Sequence, residues 1–143
     1  MGDLKMTERP PSTRVAAARS RDWLRQPTSI IFWWVLPIAL GVSTNFWRLP
    51  LAETALLWAV SLAWMGTGCA LNAARCGRRH CFISGPVLWL GAIAAALVAL
   101  GVLTEPNALG DAVNGALALA ALSFLSECFW GSYAGRKPSG SSC

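Results

Sequence analysis

The sequence predicts an all-α membrane protein: a four-transmembrane-helix bundle with both termini on the cytoplasmic side. Three observations carry this expectation. Charge is confined to segments between long apolar runs, cations fill every second one of those segments, and tryptophans gather near the run ends.

Of the 143 residues, 55% are hydrophobic and 13% charged, against about a quarter charged in ordinary soluble domains. Residues 29–47, 54–74 and 84–104 carry no charge, and 112–126 carry none before Glu127. Runs of about 20 residues cross a hydrocarbon core, and a soluble bundle would need polar helix faces that these runs lack. The expected domains are a flexible basic tail over 1–28, a transmembrane domain over 29–132 and a tail over 133–143. Its helices are expected near 29–48, 52–75, 85–104 and 111–131. A short basic surface helix over residues 13–25 is the alternative for part of the first tail. Neither a cleavable signal peptide nor a myristoylation signal is expected.

Orientation follows from the cations. Lys5, Arg9, Arg14, Arg19, Arg21 and Arg25 precede the first run, and Arg75, Arg78 and Arg79 separate the second from the third. Arg136 and Lys137 follow the fourth. The two remaining connections hold Arg48 offset by Glu53, and Glu105 with Asp111. Both termini and the Arg75–Cys81 segment are therefore expected in the cytoplasm, which makes the chain a multi-pass inner-membrane protein. The net charge of +5 reflects this orientation, and no nucleic-acid partner is expected. Trp33, Trp34, Trp47, Trp89 and Trp130 are expected near the membrane interfaces, with Trp64 packing at mid-membrane. Pro37 should kink the first helix. Gly66, Ala70 and Ala74, then Gly91, Ala95 and Ala99, then Ala112, Ala116 and Ala120 make three small-residue stripes that allow close helix contact.

Residues 75–81 read RCGRRHC and hold the chain's only histidine. If the second helix ran on, Cys69, Asn72, Cys76 and His80 would share one face, although Gly77 weakens that continuation. Cys81 is then expected in a short link, with Ser84 capping the third helix and Pro86 in its first turn. Free backbone N–H groups there, with Arg75, Arg78 and Arg79 close by, would favour a thiolate. The fourth helix should return Glu127 and Cys128 to the same end. Thiolates with an imidazole suit thiophilic ions: Hg(II), Cu(I) or Zn(II). C-x3-H-C is not a zinc-finger spacing, so a four-ligand site would have to recruit Cys69 or Cys128. Packing is the competing role for those two cysteines. Glu127 is a functional candidate as an acid in an apolar run, or else a partner for an arginine.

Residues 69–86, CALNAARCGRRHCFISGP, resemble a signature of small prokaryotic multi-helix membrane proteins associated with mercury and other metal resistance. The resemblance implies handling of a thiophilic metal. The chain departs from the mercuric transporter pattern, whose first helix carries adjacent cysteines; the first helix here has none. The expected function is thus non-enzymatic binding or passage of a thiophilic ion, and the lipid bilayer is the expected partner. The competing expectation is a structural or assembly subunit, bound to a membrane protein or to further copies of the chain. A thiol oxidoreductase would need outward-facing cysteine pairs, and one histidine cannot supply paired haem ligands.

Overall fold

The computed structural model describes residues 26–130, and every element among them is a helix. The expected surface helix at 13–25 and the C-terminal tail lie outside the described residues. α1 runs Pro27–Trp47 and contains one widened π turn at Ile31–Val35. That turn ends two residues before Pro37, whose ring nitrogen cannot donate the usual backbone bond. α1 ends on Arg48, which adopts a left-handed conformation with φ 47°.

α2 covers Leu51–Cys76. Gly77, at φ 68°, ends it abruptly, and its N–H bonds the Ala73 carbonyl at 2.8 Å. This is the left-handed cap that glycine adopts without a Cβ penalty. α3 then covers Arg79–Ala99, starting earlier than the sequence expectation placed it. The left-handed glycine reverses the chain within two residues, so no link to Ser84 is needed. His80 therefore belongs to α3 rather than to an extended α2, and Cys81 sits in the first turn of α3. Pro86 lies inside the helix, and Ser84 is not its cap: its Oγ donates to the His80 carbonyl at 2.9 Å. α4 covers Ala108–Ser123, and after Phe124 a short α5 covers Leu125–Trp130.

α3 packs against both α2 and α4, and α1 packs against α2. Leu62 and Met65 of α2, Leu88 and Ala92 of α3, and Val113 and Ala116 of α4 form the core. Small residues set the helix spacing. A Cβ on Gly91 would stand 2.5 Å from the Ala116 Cβ, and one on Gly66 would meet Trp89 at 2.7 Å and the Gly85 carbonyl at 3.1 Å. The stripe in α2 turns away from the bundle, however: Ala70 and Ala74 are exposed, whereas Gly66, Cys69 and Ala73 are buried. Each four-residue step drifts by about 40° on a helix of 3.6 residues per turn. By Ala74 the stripe has left the contact.

α1, α2 and α3 are long and apolar enough to cross a membrane, and α4 is a shorter apolar helix. Large apolar side chains such as Leu56, Val60, Leu90, Ile93 and Leu119 are exposed, as suits surfaces facing lipid. Trp64, half-buried, meets Phe32 edge-on with centroids 5.2 Å apart. Glu127 of α5 bonds Arg78 in the turn between α2 and α3, so the leg from Ala108 returns to the end of the bundle where α3 began.

Candidate functional site: a thiol pair backed by histidine and glutamate

The glycine turn at Gly77 dictates the local arrangement. It places Arg78 as the residue flanking α3, with His80 and Cys81 in the first turn and facing inward. His80 is fully buried and Cys81 nearly so. Both ends of the imidazole are engaged. Nδ1 lies 2.6 Å from Glu127 Oε1, and Nε2 lies 3.3 Å from Cys81 Sγ. Arg78 grips the same carboxylate with both arms of its guanidinium, Nε to Oε1 at 2.9 Å and Nη2 to Oε2 at 3.2 Å. A carboxylate paired with arginine only accepts hydrogen bonds, so Nδ1 carries the proton that faces it. In neutral His80 that leaves the Nε2 lone pair aimed at the Cys81 thiol. Phe124 stacks on the imidazole with ring centroids 3.9 Å apart and closes that side.

Cys81 has three further neighbours of consequence. Cys69, one helix away on α2, lines one small crevice together with it. Asn72, also buried on α2, donates from Nδ2 to Cys81 Sγ at 3.6 Å. The N-terminus of α3 supplies partial positive charge, which favours an anion in the first turn. Cys69 in turn lies 3.4 Å from Ser84 Oγ. Both thiols are free cysteines.

A narrow crevice reaches this pair. Ser29, Ile30, Trp33 and Trp34 of α1 form one wall, and Gly68, Cys69, Asn72 and Cys81 form the other. It has room for about one water molecule. The π turn of α1 carries both tryptophans, and Gly68 is what lets Trp33 sit so close: a Cβ there would be 2.8 Å from the indole. Widened turns of this kind recur at functional sites.

The sequence candidates thus divide. Cys69, Asn72, His80, Cys81, Arg78 and Glu127 are brought into one connected set. Cys76 is buried but turned elsewhere, its thiol donating to the Asn72 carbonyl oxygen at 3.0 Å, and it does not line the crevice. Arg75 is exposed near the end of α2, and Arg79 opens α3 half-exposed; each has interactions of its own. Cys128 belongs to α5, and its side chain lies outside the described residues. Among the described residues no three His, Cys, Asp or Glu side chains are grouped as a metal ion held by three such ligands would require. Sequence reasoning missed Ser84 as a partner, Phe124 as the stacking ring, and the wall built by Trp33 and Trp34. Gly66 and Gly68 within one turn of α2 were the available signal, since each leaves space for an indole.

Comparison with protein-family models, with curated proteins and with solved structures found no match.

Proposed function

We propose that this chain is a four-pass inner-membrane protein that binds a thiophilic ion, Cu(I) or Hg(II), between Cys69 and Cys81. The site lies at the cytoplasmic end of the bundle. The observation that carries the reading is that two buried thiols, Cys69 and Cys81, line one small crevice with room for about one water-sized body. Soft two-coordinate ions need two thiolates and little else. Zn(II) prefers four ligands, which suits the described residues poorly. His80 and Glu127 supply what an incoming ion requires, a route for the thiol proton, because thiols must ionise to become ligands.

Two features support the fourth crossing and the orientation. The Arg78–Glu127 pair returns the chain to the level at which α3 started. The cations at that level, Arg75, Arg78 and Arg79, match the positive-inside bias.

The test is an anaerobic titration of the reduced, detergent-purified protein. One equivalent of Cu(I) or Hg(II) should bind tightly with release of protons, and Zn(II) should compete poorly. A protein that takes up neither ion, or takes up Zn(II) more tightly than both, would end the reading.

A further inference from the structure

The same two thiols have the equipment for a second chemistry that needs no metal. We propose that Cys81 and Cys69 form a peroxide-reactive dithiol, in which Cys81 attacks hydrogen peroxide and Cys69 resolves the product to a disulfide.

Four observations meet here. A base is aimed at the nucleophile: His80 Nε2 lies 3.3 Å from Cys81 Sγ, and Glu127 holds the opposite ring nitrogen at 2.6 Å. Thiol, base and orienting acid are the arrangement that activates a catalytic nucleophile. The Asn72 amide donates to the same sulfur at 3.6 Å, and the sulfur lies in the first turn of α3, at the positive end of its dipole. The second thiol, Cys69, lines the same small crevice from the facing helix, which places it to resolve the product. The crevice selects the oxidant. It has room for about one water molecule, and Ile30, Trp33 and Trp34 make its outer wall apolar. Hydrogen peroxide is uncharged and little larger than water. A quinone or a glutathione-sized disulfide does not fit.

The steps balance. Cys81 gives its proton to His80 Nε2, and the thiolate attacks one peroxide oxygen. An S–O bond forms, the O–O bond breaks, and the departing hydroxide takes the imidazolium proton to leave as water. Cys69 then attacks the sulfur of the Cys81 sulfenic acid. An S–S bond forms, the S–O bond breaks, and hydroxide leaves with the Cys69 proton as a second water. Two thiols lose two electrons in all, and one peroxide becomes two waters. If the pair also binds an ion as proposed above, the disulfide withdraws both donors and peroxide closes that site.

The test treats the reduced, chelator-washed protein in detergent with stoichiometric hydrogen peroxide and maps the products by peptide mass spectrometry. Wild type should form the Cys69–Cys81 disulfide. Cys69→Ser should stop at a sulfenic acid on Cys81, captured by dimedone. His80→Ala should slow oxidation about a hundredfold, the lower range for loss of a general base. Cys76→Ser should react as wild type does. A disulfide formed through Cys76, or a Cys81→Ser protein oxidised at Cys69 at the wild-type rate, would overturn the proposal. The assay contains no metal, so its failure leaves the ion reading standing, and failure of ion binding leaves this one standing.

Discussion

Cys81→Ser should reduce Cu(I) or Hg(II) affinity by far more than a hundredfold, and Cys69→Ser should do the same. Loss of an outer partner of a metal ligand already costs about 10–100-fold, and here one of only two soft donors disappears. Serine is close to cysteine in size, and polar neighbours stand beside each buried position, Ser84 Oγ at Cys69 and His80 Nε2 at Cys81, so the new hydroxyl has a partner and the fold should survive. His80→Ala removes the base beside Cys81 but no sulfur, and its effect should fall within that outer-partner range. Cys76→Ser should leave affinity unchanged, because that thiol bonds the Asn72 carbonyl. Competition titration against a chelator of known affinity reads all four variants. Equal losses from Cys76→Ser and Cys69→Ser would mean that the ion is held elsewhere at this end of the bundle.

Glu127→Ala should destabilise the bundle by about 3 kcal/mol, the low end for removing one partner of a buried ion pair. The low end applies because the Glu127 side chain keeps 12% of its exposure. Alanine removes the carboxylate that Arg78 bonds through Nε and Nη2 and takes the acceptor from His80 Nδ1, so two partly or wholly buried groups lose their bonds to it at once. Glu127→Gln keeps one carbonyl oxygen for His80 Nδ1 and Arg78 Nε but loses the charge and the bond from Arg78 Nη2, so its cost should be smaller than that of alanine. Denaturation in mixed micelles, followed by tryptophan fluorescence, gives the comparison. If alanine and glutamine cost the same small amount, the carboxylate does not tie α5 to the turn at Arg78.

The helices were legible because hydrocarbon imposes length and apolarity that composition shows directly. Chain direction alone brings Glu127 to the end of the bundle that holds the RCGRRHC segment. What the sequence did not disclose was rotation. Spacing says which residues share a helix face, but not which neighbour that face meets. The RCGRRHC segment puts Cys76 ahead of Cys69, for which packing is the competing role, yet the packing of α2 on α3 places Cys69 and not Cys76 in the crevice that Cys81 lines. The turn at Gly77 was likewise underdetermined: glycine permits a left-handed cap there, but nothing local requires α3 to restart at Arg79 and carry Pro86 in its interior. The wall from α1 depends on the π turn at Ile31–Val35, a backbone adjustment with no residue signature beyond the nearby Pro37.

X-ray absorption spectroscopy of the protein loaded with one equivalent of Hg(II) or Cu(I) counts the atoms bound to the ion and so decides whether Cys69 and Cys81 hold it. Two sulfur neighbours are expected in wild type and in Cys76→Ser, and one in Cys69→Ser or Cys81→Ser. A first shell of nitrogen and oxygen, or two sulfurs that persist when Cys69 and Cys81 are both serine, would contradict a site between these two thiols.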